Sequence, residues 1–451
     1  MDNETVHNIS VIGMGKLGCT MLACFAAKGM HVIGVDVVLH IVDTINAGHS
    51  PIYEPKVDDL IQAHKANISA TTSTVDAVLA TDASFVIVPT PSITNGSFDM
   101  QYVTNVLTQL ATALATKNTY HLVVITSTVL PGNMVQLQQH IEQVSGKQCG
   151  VHFGLCYNPD FIALGNIVHD FTHPDMVLIG EYDTHSGNLL QAIHHHTVLN
   201  TPRYSRMNFY NAELCKIAIN SYCTLKITFA NVIAEICEQL PGGDADVVTT
   251  ALGADTRIGN KYIKGGLSYG GPCFPRDNRA FAWSAAQYGV QHVLSNQTDV
   301  INTYQRSTRI PNKILAILKA KGIYNIAILG VTYKADTTLV EESAGLYIIK
   351  ALLEHNIHIT LYDPAGIDAT RKEIPETKYL TYASSIPECI HNQTVCMVAA
   401  PWPIFKTITE QDYLQHMATH PVLIDGWSTY NYTSTAALQY IKLGKQAPSL
   451  V

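Results

Sequence analysis

The stretch Ile9-Ser10-Val11-Ile12-Gly13-Met14-Gly15-Lys16-Leu17-Gly18 joins a short apolar run to a GxGxxG pattern. An apolar strand that leads through such glycines into a helix is typical of a dinucleotide-binding unit, because the glycines let the backbone approach a pyrophosphate at the helix N-terminus. The next apolar run, His31–Val35, ends at Asp36, and a carboxylate there is expected to take the ribose hydroxyls. The predicted nucleotide site consists of Gly13, Gly15, Lys16, Leu17, Gly18 and Asp36.

Asp36 also favours NAD over NADP, because a carboxylate at that position repels a 2′-phosphate. The following residues, Val37-Val38-Leu39-His40, contain no Arg that would bind such a phosphate. The alternative is a glycine-rich turn that only packs the helix closely against the strand.

Short apolar runs alternate with stretches of helical length, as in a parallel, doubly wound sheet. The N-terminal strands are expected at Ile9–Ile12, His31–Val35, Phe85–Val88 and Leu122–Ile125. The alternation restarts near residue 310 without the glycine pattern, and here we expect a strand at Ile326–Leu329, a helix at Ala344–Glu354 and a strand at His358–Tyr362.

Between these regions, Asn211–Gln239 has apolar residues at helical spacing, uninterrupted by Gly or Pro, and Pro241-Gly242-Gly243 follows it. A helix of this length typically joins domains or subunits, so a homodimer is expected. The fold class is α/β, with two Rossmann-like doubly wound domains and a central helical domain that contains one long spine helix. The expected boundaries are 1–200 for the NAD-binding domain, 201–308 for the central catalytic and dimerisation domain, and 309–451 for the C-terminal domain.

Composition excludes several classes of partner. The 451 residues carry a formal net charge of −8 and no basic run, which disfavours nucleic acid and anionic membranes. No stretch approaches the ~18 consecutive apolar residues of a membrane span. The ten Cys form no CxxC pair, no metal ligand set is predicted, and no secretory signal precedes the first strand. Reduced thiols in the cytoplasm are therefore expected.

One cysteine lies in a distinctive loop, Gly270-Gly271-Pro272-Cys273-Phe274-Pro275-Arg276-Asp277. Pro275 suits the first turn of a helix, and a thiol at a helix N-terminus beside Arg276 is expected to have a lowered pKa and to react as the thiolate. Asp277 lies one turn further on and can handle protons or orient water. The loop therefore predicts a nucleophile at Cys273, whereas the other nine cysteines are expected to be core residues.

Taken together, these motifs resemble those of the UDP-glucose/GDP-mannose dehydrogenase family over nearly the whole chain. Besides the two glycine loops, the ordered matches include Pro51-Ile52-Tyr53-Glu54-Pro55, Val88-Pro89-Thr90-Pro91, Ser127-Thr128-Val129-Leu130-Pro131-Gly132, Asn158-Pro159-Asp160-Phe161, Ala212-Glu213-Leu214-Cys215-Lys216 with Asn220, and Tyr333-Lys334.

The resemblance implies oxidation of a sugar alcohol to a carboxylate by two hydride transfers to NAD, through a thiohemiacetal and a thioester on Cys273. It implies that Lys216 and Asn220, one helical turn apart, stabilise the oxyanion. Asp277 and Thr128 would hold a water molecule, and Asp160 would assist thioester hydrolysis. Further cofactor contacts are implied for Thr90, Thr128 and Arg276.

The resemblance also implies a binding site for a nucleotide sugar, which the C-terminal domain would help to bind. Arg257 matches a diphosphate-binding residue, Lys264 is a nearby cation, and Lys334 would reach in from the C-terminal domain. The remaining implied substrate contacts are Phe161, Lys216, Asn220, Tyr262 and Gly270. The alternative for residues 257–264 is a solvated run of charges.

Four positions depart from the family pattern. Asp160 stands in place of a Glu, and Leu164 in place of a second Glu near the nicotinamide. Glu341 opens a segment that usually reads Arg-Glu-Ser and helps to bind pyrophosphate, and Trp427 replaces an Arg that contacts the nucleotide sugar. These changes leave cofactor affinity and substrate choice open.

The best interpretation is a UDP-glucose 6-dehydrogenase-like enzyme. The alternatives are a dehydrogenase for GDP-mannose or a UDP-N-acetylhexosamine, a two-electron dehydrogenase of the related hydroxyacid type, and a catalytically impaired nucleotide-sugar-binding relative.

Overall fold

The computed structural model describes residues 6–162 and 164–446. They contain fourteen strands: β1 Asn8–Ile12, β2 His31–Val35, β3 Ile68–Thr71, β4 Ala83–Val86, β5 His121–Ile125, β6 Phe153–Tyr157, β7 Met176–Glu181, β8 Arg203–Met207, β9 Asn325–Leu329, β10 His358–Tyr362, β11 Leu380–Tyr382, β12 Val395–Val398, β13 Val422–Asp425 and β14 Gln439–Lys442.

The α-helices of the described residues are α1 Lys16–Ala26, α2 Leu39–Ala47, α3 Val57–Ala63, α4 Thr74–Ala80, α5 Gln101–Thr116, α6 Asn133–Ser145, α7 Ile167–Thr172, α8 Thr184–Thr197, α9 Phe209–Gln239, α10 Ala245–Ala254, α11 Phe274–Gln287, α12 Leu294–Tyr304, α13 Ile310–Lys321, α14 Ala344–Glu354, α15 Ile367–Glu373, α16 Ile386–Ile390 and α17 Glu410–His416. A π-helical segment, Gln305–Arg309, joins α12 to α13.

The chain divides into two compact units, residues 1–217 and 218–451, here called unit 1 and unit 2. The boundary falls inside α9, so one continuous helix belongs to both units. The division into three domains at residues 200 and 308 remains a proposal.

Unit 1 contains an eight-stranded sheet in the order β3-β2-β1-β4-β5-β6-β7-β8. The first six strands are parallel and follow the strand order of a dinucleotide-binding sheet. β7 runs antiparallel to β6, and β8 is parallel to β7. Apolar side chains are buried on both faces of the parallel part, as helices on both sides require.

One predicted strand was displaced. The structure begins β4 at Ala83 and ends it at Val86, whereas the apolar run predicted Phe85–Val88. The chain leaves the ladder because the Val88 N–H donates to the Ser127 hydroxyl, and Pro89 follows with no N–H to donate. The chain therefore turns away at the carboxyl end of the sheet, where Thr90 follows.

Unit 2 contains a six-stranded, wholly parallel sheet in the order β11-β10-β9-β12-β13-β14. This order repeats that of the first six strands of unit 1, so the predicted α/β class with two doubly wound sheets is confirmed. Its core consists mainly of Ile, Leu and Val side chains from the strands and from α13 and α14.

The long helix α9 has 31 residues, about 46 Å at ~1.5 Å per residue. Pro241 and the turn Gly242-Gly243 follow it, as the sequence predicts. By length and composition α9 is the one helix of the described residues that is long and apolar enough to cross a membrane. It also carries Glu213 and Lys216, whose buried side chains are hydrogen-bonded within unit 1.

Candidate active site

The three glycines of the first turn have different surroundings. Gly13 has a φ of +104°, and a Cβ added there would lie 2.3 Å from the Ile87 carbonyl oxygen. A Cβ on Gly18 would lie 1.8 Å from the carbonyl oxygen of Gly13, so this glycine permits close packing of α1. Gly15, the N-cap of α1, has no heavy atom within 4 Å of its Cβ position. The turn thus leaves open backbone at Gly15, where a pyrophosphate would approach.

Asp36 lies at the carboxyl end of β2 and is tied to the same turn. Its carboxylate oxygens accept hydrogen bonds from the Met14 N–H and the Val38 N–H, each at 2.9 Å. Lys16 and Leu17, at the start of α1, are half-buried. This glycine turn and carboxylate fit NAD, for which they would provide the phosphate and ribose contacts.

Thr90 and Thr128 meet at the carboxyl ends of neighbouring strands β4 and β5. The Thr90 hydroxyl donates to the Thr128 carbonyl oxygen at 2.8 Å. Beside them, the Ser127 hydroxyl accepts from the Val88 N–H at 2.9 Å and donates to the Val88 carbonyl at 2.8 Å. Two of the predicted cofactor residues are therefore brought together on one rigid edge of the sheet.

Lys216 is buried in unit 1, where it contacts the segment after β6. Its Nζ donates to the Asp160 carbonyl oxygen at 2.5 Å and lies 4.4 Å from the centre of the Phe161 ring. A cation over an aromatic face is attracted electrostatically. The predicted residues Asp160, Phe161 and Lys216 thus form one cluster.

The Asp160 carboxyl group has an unusual environment. Its Oδ2 is buried and has no hydrogen-bond partner among the described residues. Burial raises the pKa of Asp160 to about 7, although the nearby Lys216 ammonium opposes this effect. A carboxyl with a pKa near neutrality can exchange protons at physiological pH.

Two buried glutamates, neither of them among the predicted site residues, hold the loops of unit 1. Glu213 on α9 accepts from the Gly132 and Met134 N–H groups at 2.8 and 2.7 Å and thereby caps the N-terminus of α6. Glu54 accepts from Gly165 and Ile167, each at 3.1 Å. Glu54 lies in the motif Pro51-Ile52-Tyr53-Glu54-Pro55 and Glu213 in Ala212-Glu213-Leu214-Cys215-Lys216. In each motif the glutamate has apolar neighbours on both sides, a pattern that could have indicated a buried carboxylate.

In unit 2, Cys273 is the N-cap of α11 and is exposed. The helix begins at Phe274, so Pro275 is its second residue. The other nine cysteines are buried or half-buried, and no disulfide occurs in the described chain. Burial raises the pKa of Cys19, Cys24 and Cys149 to about 12, which keeps them as thiols. Cys273 is thus the accessible thiol at a helix N-terminus.

Asp277 is fully buried one turn after Cys273. One carboxylate oxygen accepts from Asn220 Nδ2 at 2.6 Å, and the other accepts from Arg276 Nε at 2.8 Å. Arg276 therefore pairs with Asp277. Asn220, Asp277 and Cys273 form the second cluster of predicted catalytic residues.

The predicted substrate residues of unit 2 are dispersed. The Tyr262 ring packs edge-on against Phe274, next to Cys273, with ring centres 5.8 Å apart. Lys334 Nζ lies 6.0 Å from the ring centre of Tyr333, and Tyr333 borders Gly271. Arg257 instead lies on an exposed loop, its side chain 86% exposed and paired with Asp255 at 2.6 Å. Lys264 is exposed. Burial would raise the pKa of Asp246, but hydrogen bonding by Lys442 and Ser428 lowers it, and the Lys264 charge makes the smallest contribution.

The structure shows the surroundings of three residues that depart from the family pattern, Leu164, Glu341 and Trp427. Leu164 is half-buried in the loop that Glu54 holds, and the Glu341 side chain is exposed. The Trp427 indole N–H donates to the Ala399 carbonyl at 2.9 Å, and its ring lies 3.1 Å from the Cβ position of Gly266. The indole is thus packed against Gly266.

Three family models match the chain in order. Residues 7–198 match the NAD binding domain of the UDP-glucose/GDP-mannose dehydrogenase family, residues 210–304 match its central domain, and residues 327–432 match its UDP binding domain. The matched segments cover most of both units.

Individual relatives agree with these models. The chain is 32% identical to the UDP-glucose 6-dehydrogenase AglM of Haloferax volcanii, with 89% of this chain and 93% of that protein covered. It is 33% identical to a GDP-mannose 6-dehydrogenase of Pseudomonas aeruginosa, with 84% and 86% covered. It superposes on a UDP-glucose dehydrogenase structure from Pyrobaculum islandicum with a TM-score of 0.86, 28% identity and 99% of both chains covered.

The glycine turn, Asp36 and the match to the NAD binding domain identify the cofactor as NAD. The ordered domain matches and the relatives identify an oxidoreductase that acts on a nucleotide sugar. This chain belongs to the UDP-glucose/GDP-mannose dehydrogenase family.

Proposed function

We propose that this protein oxidises the C6 alcohol of UDP-glucose to the carboxylate in two successive NAD-dependent steps. The observation that carries the proposal is Cys273, an exposed thiol at the start of α11, with Asp277 buried one turn away and bound to Asn220. A simple two-electron alcohol dehydrogenase has no use for this thiol.

The thiol has a defined chemical role in the proposed sequence. The first oxidation removes a hydride and a proton from the alcohol and yields an aldehyde. The Cys273 thiolate adds to the aldehyde carbon to form a thiohemiacetal, and loss of the second hydride yields a thioester. Water then cleaves the carbon–sulfur bond and releases the carboxylate and the thiol. NAD, when bound, accepts the hydride in each oxidation.

Lys216 and Asn220 are assigned to the charge that develops on oxygen. Lys216 is a buried ammonium, and Asn220 presents an amide one helical turn away on α9. Preorganised donors of this kind stabilise an oxyanion without reorganisation. Asp277 orients the Asn220 amide by accepting one of its N–H groups at 2.6 Å. The family resemblance assigns Asp277 and Thr128 each to the handling of the water that relays protons.

Asp160 is assigned to thioester hydrolysis as the general base. Its buried Oδ2 has no hydrogen-bond partner in the described residues, and burial raises its pKa to about 7. A base poised near the working pH is efficient in this role. The shorter side chain at this position therefore retains a suitable pKa.

UDP-glucose is proposed over GDP-mannose on two grounds. Residues 327–432 match a model described as a UDP binding domain. The UDP-glucose dehydrogenase structure superposes with a TM-score of 0.86, against 0.54 for a GDP-mannose dehydrogenase from Pseudomonas aeruginosa. GDP-mannose is the second candidate, because curated GDP-mannose 6-dehydrogenases are as similar in sequence.

We further propose a homodimer formed through α9. Tyr222, Phe229 and Ile236 are spaced by seven residues, so they share one face of the helix, and they are 58%, 53% and 52% exposed. A neighbouring apolar groove of ~250 Å³ is lined by Leu225, Phe229, Leu252, Ile258 and Ile263, among others. Adjoining exposed apolar side chains of this kind on a monomer are typical of an interaction site. The ten cysteines form no disulfide in the described residues, which supports action in the cytoplasm.

The decisive experiment counts NADH formed per sugar consumed, with purified protein, NAD and a panel of UDP- and GDP-sugars. Two NADH per UDP-glucose, abolished in Cys273→Ala and retained in the buried-thiol control Cys149→Ala, is the expected result. One NADH per sugar would instead identify a two-electron dehydrogenase. Binding of the sugar with no NADH would identify a catalytically impaired relative, and preference for GDP-mannose would replace the proposed substrate.

A further inference from the structure

The loop that leads to Cys273 is held at Tyr269 by a buried amide. The Tyr269 N–H donates to Asn302 Oδ1 at 2.9 Å, and Asn302 Nδ2 donates to the Tyr269 carbonyl at 3.0 Å. Both residues are buried. Two hydrogen bonds from one planar amide hold the orientation of the Tyr269 backbone, four residues before the thiol.

The next two residues lie directly on another segment of unit 2. The Gly271 N–H donates to the Glu341 carbonyl at 3.0 Å. A Cβ on Gly270 would lie 2.3 Å from the Glu342 carbonyl oxygen, and a Cβ on Gly271 would lie 2.6 Å from the Tyr333 ring. The glycine pair is therefore required for this contact, and the backbone of Glu341-Glu342 determines where the loop lies.

Glu342 itself adopts a backbone conformation that a non-glycine residue rarely takes, with a φ of +55°. Arg306 donates to its carbonyl oxygen at 2.8 Å and to its carboxylate at 2.5 Å. Arg279 donates to the other carboxylate oxygen at 3.0 Å. Burial alone would raise the pKa of Glu342, but Arg306 and Arg279 lower it, so the carboxylate remains ionised. Arg306 and Arg279 thus hold Glu342 in its strained backbone conformation, and the Glu342 carbonyl group lies against Gly270.

Arg306 is well placed for this role. It is 2% exposed, and its guanidinium lies 3.8 Å from the ring centre of Tyr347. It belongs to the π-helical segment Gln305–Arg309. Such segments are rare in proteins, and those that occur often lie at functional sites. Arg309 of the same segment pairs with Glu238 of α9 at 2.7 Å. The π-helical segment therefore places Arg306 against Glu342, before α14, and Arg309 against Glu238 of α9.

We propose that Arg306, Glu342 and Asn302 are positioning residues that set the direction of the Cys273 thiol through the Tyr269-Gly270-Gly271 backbone. The inference rests on the proposed function in that it takes Cys273 as the nucleophile. The three residues act through the loop and need no contact with substrate. Preorganisation of a nucleophile through such supporting contacts determines how often it meets the reacting carbon.

The test compares Arg306→Lys and Glu342→Gln with the matched control Arg309→Lys, which alters the same helical segment but not the Glu342 contact. Arg306→Lys keeps the charge and loses the two-pronged contact, and Glu342→Gln keeps the volume. Each variant is measured for kcat, KM, thermal midpoint and the rate of iodoacetamide alkylation at Cys273 as a function of pH, with peptide mass analysis to identify the modified thiol.

Arg306→Lys and Glu342→Gln are expected to lower kcat by about 10- to 100-fold with little change in KM, and to change the alkylation rate or its pH midpoint. Arg309→Lys is expected to lower the thermal midpoint without either effect. The proposal is overturned if all three variants lose kcat in proportion to their thermal midpoints while alkylation at Cys273 is unchanged. Alkylation requires no substrate, so this arm decides the positioning role even if Cys273→Ala retains full activity and the proposed function fails.

Discussion

Asp160 shows how one side chain departs from what its type predicts. In the motif Asn158-Pro159-Asp160-Phe161, Asp160 takes the place of a glutamate of the family pattern, and its side chain is shorter by one methylene group. The structure adds that burial raises its pKa to about 7 and that Lys216 binds its carbonyl oxygen rather than its carboxylate. The motif predicted the position of the carboxyl group, but its protonation depends on surroundings that no local pattern encodes.

This raised pKa predicts an unusual dependence of stability on pH. The folded protein holds a proton on Asp160 at pH values where the unfolded carboxyl, with a pKa of ~3.9, has lost it. The free energy of unfolding should therefore fall as pH rises from about 4 to about 7, and the loss is complete above that range. Asp160→Asn should be more stable than the wild type by up to ~4 kcal/mol at pH 8 and about equal at pH 4.

Urea unfolding at pH 4, 6 and 8 measures this difference. Asp58→Asn is the control, because hydrogen bonding by the Ser50 N–H lowers the pKa of Asp58, and its loss should not stabilise the protein at pH 8. A difference between Asp160→Asn and wild type that is constant with pH would contradict the assignment.

At the scale of elements, the predicted helices and strands were confirmed to within two residues, and His31–Val35, Ala344–Glu354 and His358–Tyr362 matched at both ends. Apolar periodicity and glycine or proline boundaries are local, so sequence alone predicts them. The π-helical segment Gln305–Arg309 was not predicted, because nothing in its spacing distinguishes it from an ordinary helix. It exists where Arg306 and Arg309 bind partners distant in the chain.

The first βα turn provides a prediction at this scale. Gly15→Ala has an allowed φ of −74° and open space at the Cβ position, so the unfolding free energy should change by less than about 1 kcal/mol. NAD affinity should fall by about tenfold or more, because the methyl group takes the space left for the pyrophosphate. Gly18→Ala should instead cost ~1–3 kcal/mol of stability, since its Cβ would meet the Gly13 carbonyl oxygen.

Urea unfolding and calorimetric titration with NAD separate the two effects. Wild-type NAD affinity in Gly15→Ala would refute the assignment of this glycine to the phosphate site. A stable Gly18→Ala variant would refute the packing role of the third glycine.

At the scale of the whole molecule, the exposed apolar face of α9 predicts that two copies of the chain form a homodimer. Phe229→Asp places a charge in the middle of the Tyr222, Phe229 and Ile236 stripe, which a second copy of the chain would have to desolvate. The variant should have the monomer mass of 49.3 kDa, whereas the wild type should have twice that mass in light scattering. Tyr324→Asp, at an exposed aromatic residue off this helix, should remain dimeric. Equal masses for Phe229→Asp and wild type would exclude this face as the interface.

The sequence by itself determined the two doubly wound sheets, the nucleotide turn and the long helix, and it predicted Cys273 as the reactive thiol. These features follow from glycine spacing, apolar periodicity and neighbours within one helical turn, all of which are local. Only the tertiary structure decided the pKa of Asp160, the capping of α6 by Glu213 and the support of Gly270 by Arg306 and Glu342. Each of these depends on burial or on partners far apart in the chain, and burial and distant pairing arise only when the chain has folded.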